Sequence, residues 1–147
     1  MDNLLKSLKT AIFKVMEQMF FILPDEEEPP SPDNGRAIYI GISGTPGYLV
    51  TLKVDEVLAS GMTTVLLGIE EEDLEDTLVR QSLRETANIV AGNFLLSFEN
   101  DEQRNVTLPF NSREDVFPGG RATESGAIHM SFDGHPFSAI LEVIETT

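Results

Sequence analysis

Glu85 and Asn88 stand one helical turn apart in the segment Gln81-Ser82-Leu83-Arg84-Glu85-Thr86-Ala87-Asn88-Ile89-Val90-Ala91-Gly92. Their chemistries are complementary. A carboxylate pairs with a cation, whereas a neutral amide both donates and accepts and can hold a water molecule in a chosen orientation. At about 100° per residue, Gln81, Glu85, Asn88 and Gly92 fall in one narrow band along a helix. A solvated band is normally filled with Lys, Glu, Gln or Ala. Asn and Gly are poor choices there, Gly by roughly 1 kcal/mol relative to Ala. An acid, an amide and a residue with no side chain, in line, make a surface suited to receiving a partner closely. Helix patterning alone leaves a second reading open, in which Glu85 and Asn88 are merely exposed and Gly92 serves close helix packing. Glu102 and Asn105 repeat the same spacing, but in a segment that reads as a loop.

Such a band is useful only if the other side of its helix is anchored. Val79, Leu83, Ala87, Val90, Ala91, Phe94 and Phe98 recur at the three- and four-residue spacing of a core-facing stripe, almost opposite the band. The acidic stretch Glu70 to Glu75 is expected to open this long helix, where negative charge suits the positive end of the helix dipole. Asn100 to Asn105 is expected to break it.

The rest of the chain supplies the frame. Residues 1–21 carry helix-spaced apolar positions (Leu4, Leu5, Leu8, Ile12, Val15, Met16, Met19, Phe20), with Asp2 as the expected N-cap. Pro24 ends that pattern, and residues 24–35 read as an acidic, proline-rich connector. Ala37 to Ile42 and Tyr48 to Val54 predict two strands joined through Gly44-Thr45-Pro46-Gly47. Asp55 is placed to cap a short helix ending near Gly68. Val106-Thr107-Leu108 predicts a short strand. Gly126 to Phe132 and Pro136 to Ile144 predict a second hairpin around Asp133-Gly134, a strong two-residue turn signal.

The two hairpins resemble each other, Ala37 to Pro46 aligning with Ala127 to Pro136. Each follows a helix containing Ser-Leu-basic, Ser7-Leu8-Lys9 and Ser82-Leu83-Arg84. An internally duplicated helix-then-hairpin unit follows. The fold class expected is α+β: an antiparallel sheet with helices packed on one face. One domain covers 1–147, with the sheet and the long helix in 36–147. In the duplicate, Lys9 or Thr10 takes the place of Glu85, and Ile12 or Phe13 that of Asn88, so one site per chain is expected.

Composition narrows the function classes. The chain has 147 residues, 41% hydrophobic and 24% charged, as a globular domain with an adequate core does. A formal charge of −15 argues against nucleic acid or an anionic membrane as partner, because both are polyanions. There is no cysteine, hence no disulfide framework and no thiolate chemistry. The apolar run at residues 19–23 is too short to span a bilayer, and Lys14 and Glu17 interrupt what precedes it, so a cytoplasmic location is expected. Gly41 to Gly47 lacks the Gly-Lys-Ser/Thr ending of a phosphate loop. His129 and His135 flank a tight turn without an evident third metal ligand, so no metal site is expected in this chain.

The segment Glu85-Thr86-Ala87-Asn88-Ile89-Val90-Ala91-Gly92-Asn93 resembles the active helix of the CheX/CheC family of chemotaxis phosphatases, as does the order of hairpin, short helix and long helix from Ala37 to Phe98. The resemblance implies that Glu85 and Asn88 enter the active site of a phosphorylated CheY-like receiver domain. Asn88 would orient the water that attacks the aspartyl phosphate. Glu85 would pair with a lysine of the receiver, and the receiver would supply Mg2+, this chain binding no cofactor. Gln81, Ser82, Ile89 and Gly92 are the implied partner-binding residues, with Leu78 and Leu96 flanking them. A homodimer formed by edge-to-edge joining of sheets is also implied. Two positions depart from the family pattern. Gln81 stands where the family has Asp or Ser, with Ser82 one place later, and Pro109 comes earlier than the family's proline. The departure at Gln81 keeps a non-catalytic receiver-binding or adaptor module as the alternative.

Overall fold

The computed structural model describes residues 1–27, 35–98 and 103–145. Most of the proline-rich connector, and Glu102 of the repeated Glu-Asn spacing, lie outside the described residues. Helix α1 (Asp2–Phe20) is followed by the hairpin β1 (Gly35–Ile42) and β2 (Gly47–Asp55), then α2 (Glu56–Leu67) and α3 (Asp76–Leu95). A one-turn α4 (Arg113–Val116) precedes the second hairpin, β3 (Arg121–Phe132) and β4 (His135–Glu145).

The four strands form one antiparallel sheet in the order β1-β2-β4-β3, with the two hairpins meeting at β2 and β4. In that central pairing Leu52 faces Ala139, and Thr51–Ile140 and Lys53–Ser138 flank it on either side. The sequence duplication thus becomes an approximate two-fold relation between hairpins. Alternation along the strands sends Ile38, Ile40, Val50, Leu52, Phe137, Ala139 and Leu141 to one face, where they join the buried residues of α1, α2 and α3 in the main core. Burial of each large side chain in this core contributes on the order of 1.5–3 kcal/mol.

Several elements differ from the sequence expectation, each for a physical reason. Met1 rather than Asp2 occupies the N-cap of α1, and no side chain bonds there; Asp2 sits in the first turn, where its charge still suits the dipole. The acidic stretch does not open α3. It forms a separate 3-10 turn, Glu71–Asp73, after which Leu74 is extended and packs against the main core. Burial of Leu74 overrides the helical tendency of its neighbours. Val106 and Phe110 make isolated bridges to Ile42 and Tyr39 in place of a regular strand. Strand β3 begins at Arg121, because Arg121, Ala122, Glu124 and Ser125 pair with β4 around a bulge at Thr123 although their side chains are exposed. Not all helices share one face either. Val116 of α4 packs with Leu49 and Ile144 on the opposite face of the sheet, against Tyr39, Phe110 and Phe117.

Other expectations hold. Asp55 caps α2, its carboxylate accepting from the amides of Val57 at 3.1 Å and Leu58 at 3.3 Å. Gly68 closes α2 in the left-handed conformation at φ 65°. Asp133 and Gly134 both have positive φ, 52° and 80°, as a tight hairpin turn of this kind demands. Asp25 ties the segment after α1 to that turn. Its Oδ2 accepts from Ser131 Oγ and from the Gly134 amide, each at 2.7 Å, and the Ser131 bond first of all holds the carboxyl below its ordinary range.

Arg36 is the electrostatic clamp that fixes the start of α3. From β1 it donates to both carboxylate oxygens of Glu56 on α2, at 2.8 and 2.9 Å, and its Nη2 lies 2.6 Å from Asp76 Oδ1 at the first turn of α3. Arg80 pairs with the other Asp76 oxygen at 3.0 Å. The Arg36 hydrogen bond is the main cause that lowers the Asp76 carboxyl below its ordinary value, and a carboxyl so depressed stabilises the fold above the ordinary aspartate range. That contribution is lost as pH falls through the range toward the native value. Arg36→Leu removes it at every pH. The variant is expected to melt a few degrees lower than wild type at neutral pH, with the difference narrowing in acid; thermal melts across pH read both effects, and a pH-independent gap would exclude the clamp as their source.

Candidate functional site

Helix α3 is regular from Asp76 to Leu95, so the angular argument made from the sequence applies without correction along the whole band. Val79, Leu83, Ala87, Val90, Ala91 and Phe94 are all buried in the main core. Phe98 lies past the end of the helix, its ring edge-on to Phe94 and tilted against Tyr48 with centroids 5.1 Å from each. The rotation of α3 about its axis is therefore set by the core, and the opposite band must face outward.

Gln81 and Glu85 are exposed, and Asn88, Ile89 and Gly92 are half-buried. Neither Glu85 nor Asn88 makes a side-chain hydrogen bond or ion pair with the described residues. Asn93, by contrast, is committed to its own helix, its Nδ2 donating to the Ile89 carbonyl at 2.9 Å. A carboxylate and an amide one turn apart, both without a partner among the described residues, are available to groups brought from outside.

Gly92 does not serve the close helix packing that the second reading assigned to it. A Cβ placed there would meet nothing within 4 Å. Close packing within the chain does not require glycine at this position, and its helical backbone does not require it either. The missing side chain instead leaves space above the helix next to Asn88. Gly41 and Gly126 show the contrary case, where an added Cβ would come within 2.5 Å of Val116 and 2.6 Å of Leu5.

Ser82 is corrected by the structure. It was expected to touch a partner, but it is 1% exposed, lying on the flank of the core stripe beside buried Val79, Leu83 and Thr86. One residue along a helix is a rotation of about 100°, enough to carry a side chain from the outer band to the interior. Its hydroxyl has no hydrogen-bond partner, while its carbonyl accepts from Thr86 Oγ1 at 2.8 Å. Gln81, not Ser82, is the polar residue at that end of the band.

The equivalent face of α1 carries no second pair. Thr10 is exposed and bonds its own helix at the Lys6 carbonyl, Ile12 is buried, and Phe13 packs edge-on against Phe132 with Lys9 above its ring. The two histidines are engaged separately. His129 Nδ1 lies 2.8 Å from Ser138 Oγ, and His135 Nδ1 lies 3.1 Å from Asp55 Oδ2. Among the described residues no group of three or more His, Cys, Asp or Glu side chains gathers as a metal site would require. No helix among them is long and apolar enough to cross a membrane.

Comparison of the whole architecture with solved structures decides the fold. The chain superposes on the chemotaxis protein CheX of Desulfovibrio desulfuricans with a TM-score of 0.69 at 17% identity, covering 97% of this chain and 99% of that one. It has the fold of the CheX and CheC-like proteins. A chain of the CheX–CheY–BeF3–Mg2+ complex from Borrelia burgdorferi matches with a TM-score of 0.68 at 17% identity over 96% of this chain and 97% of that one. CheX of Vibrio vulnificus matches with a TM-score of 0.64 at 19% identity, covering 97% and 96%. No protein-family model matches the sequence, and no curated protein matches it. The likeness is thus one of fold at nearly full length, with the sequences widely diverged.

Gly92 lies in the last turn of α3, where glycine costs up to roughly 1 kcal/mol relative to alanine. Gly92→Ala is therefore expected to raise the unfolding free energy by about that amount, since the new methyl group enters open space. Denaturant unfolding measures it. A loss of stability would return Gly92 to a packing role and remove it from the site.

Proposed function

We propose that this chain is a phosphatase of two-component signalling that hydrolyses the aspartyl phosphate of a CheY-like receiver domain. The observation that carries the reading is the outward projection of Glu85 and Asn88, unpartnered, from a helix locked in rotation by its buried stripe. The fold shared with CheX supports it, and one of the CheX structures that it resembles is a complex with CheY.

Hydrolysis of an acyl phosphate requires a water held in line with the phosphorus–oxygen bond that breaks. Asn88 supplies that positioning. Its carbonyl oxygen accepts a hydrogen bond from the water while its NH2 group donates to a phosphoryl oxygen, and no charge is added next to an anionic group. Glu85, one turn earlier on the same face, pairs with a cationic side chain of the receiver and sets the register of docking. Gly92 lets the receiver backbone approach α3, and Gln81 contributes a polar contact at the other end of the band. Magnesium in this scheme belongs to the receiver, where it neutralises the phosphoryl oxygens. The role assigned to this chain is geometric: it orders a water and a partner.

The test is phosphate release from a panel of phosphorylated receivers with and without this protein. Wild type is expected to shorten the lifetime of the aspartyl phosphate of its cognate receiver. Asn88→Ala is expected to lose about a hundredfold or more of that acceleration, the size typical of a positioning group, while its melting temperature stays near wild type. Binding of a receiver with no change in phosphate lifetime would replace the phosphatase by the non-catalytic adaptor.

The sheet also offers a surface for self-association, and we place a homodimer there. Segment 105–110 covers the outer edge of β1 through backbone bonds from Phe110 to Tyr39 and from Thr107 to Gly41. The outer edge of β3 takes a backbone partner only near its end, where the Asp25 amide bonds Ser131. From Arg121 to Met130 no described residue pairs with it. Such an edge is open to a second copy. Sedimentation at micromolar concentration is expected to return a dimer, and a monomer alone would remove it.

A further inference from the structure

The chain carries 10 lysines and arginines, and half of them are engaged. Arg36 and Arg80 are held by Asp76, Arg113 by Glu142, Arg104 lies over the rings of Tyr48 and Phe98, and Lys9 lies over that of Phe13. Lys6, Lys14, Lys53, Arg84 and Arg121 make no ion pair with the described residues. Position separates these five. Lys6 and Lys14 line a groove that meets α3 only at Asn93, Leu96 and Ser97, past the reactive pair. Lys53 is on β2, and Arg121 begins β3. Arg84 belongs to α3 itself.

Arg84 is exposed and stands one turn before Asn88. Consecutive residues on a helix diverge by about 100°, so Arg84 and Glu85 do not face each other, and no ion pair joins them. Each is a surface neighbour of Asn88 instead, Glu85 at three residues and Arg84 at four, spacings that bring Cβ atoms to about 5–6 Å. The other cation of α3, Arg80, is tied to Asp76. One amide is thus flanked by a carboxylate and a guanidinium, and neither charge is neutralised among the described residues.

We infer that Arg84 is a third catalytic residue of this face, its guanidinium donating to phosphoryl oxygens of the receiver's aspartyl phosphate during hydrolysis. The inference rests on the function proposed above and supplies a charge that the Glu85–Asn88 pair lacks. In that scheme Glu85 engages a cationic side chain of the receiver, which draws positive charge away from the phosphoryl group and brings a carboxylate toward it. Arg84 offsets both effects, so the face offered to the phosphoryl group is locally neutral although the chain carries a net charge of −15. In the reaction the water oxygen bonds to phosphorus as the bond from phosphorus to the aspartyl oxygen breaks. The electron pair leaves with the aspartate carboxylate, and both protons of the water stay with the inorganic phosphate. Arg84 remains charged throughout and moves no proton. Its planar fork fits two phosphoryl oxygens at once, and a guanidinium brought by a partner protein is effective where charge is spread over those oxygens.

The experiment is steady-state dephosphorylation of the phosphorylated receiver by the full chain carrying Arg84→Ala or Arg84→Lys, with affinity for the same receiver loaded with beryllofluoride and magnesium measured alongside. Alanine and lysine are good helix formers on an exposed face, so both variants are expected to keep the wild-type melting temperature. Arg84→Ala is expected to lower kcat about a hundredfold, the size of losing one preorganised donor at a developing charge, and to bind the loaded receiver within about threefold of wild type. Arg84→Lys keeps the charge without the fork and is expected to recover about tenfold of the lost kcat. A wild-type kcat in Arg84→Ala overturns the inference and leaves the phosphatase in place. A raised KM with kcat unchanged overturns it too, since Arg84 would then serve docking alone. If wild type releases no phosphate from any receiver, the proposed hydrolysis fails first and this role for Arg84 falls with it.

Discussion

The burial of one side of α3 against the sheet is the constraint on which the rest of the molecule depends. Val79, Leu83, Ala87, Val90 and Phe94 enter a core shared with β1, β2, β4 and the other two long helices, so rotation of α3 by a single residue would expose part of that stripe. The core thereby dictates the outward direction of Glu85 and Asn88. Arg36 reinforces this arrangement at the start of the helix by joining β1, α2 and α3 through two carboxylates. Under the proposed function such rigidity matters, because a positioning group gains its effect from being in place before the partner arrives.

Duplication of the helix–hairpin unit supplied two long helices, and their side chains have diverged. On α3 the outer band holds an acid, an amide and a glycine. On α1 the corresponding face holds Lys6, Thr10 and Phe13, with Phe13 drawn toward Phe132. Two helices related by an approximate two-fold thus present unlike chemistries side by side. One offers unpartnered polar groups over open space. The other offers cations along a groove.

The charge distribution follows the same division. Acidic residues dominate the composition, yet Arg36 and Arg113 are used internally, at Glu56, Asp76 and Glu142, where they tie strands to helices. On α1, Lys6 and Lys14 line a groove with Asn93 and Leu96 at the end of α3. Net charge governs solubility and long-range approach, while the local pattern governs which anion is accepted at close range.

The sequence by itself determined the features that depend on local periodicity. The amphipathic stripe of α3, the band opposite it, the Asp55 cap, the Asp133-Gly134 turn and the repeated hairpin are all encoded in spacings of a few residues, and the structure has each of them. Tertiary structure decided what spacing cannot carry. Ser82 is polar and adjacent to Gln81, but whether it faces solvent depends on how wide a strip of α3 the neighbouring elements cover, and they cover it. The acidic run gave way to a 3-10 turn because Leu74 found a place in the core. Residues 103–116 suggested only a short strand at 106–108, yet they cover one edge and the second face of the sheet through bridges at Tyr39 and Ile42 and through the Arg113–Glu142 pair. The openness above Gly92 was likewise invisible in a string of letters. It is a property of what is not nearby, and only the packing of distant segments sets it.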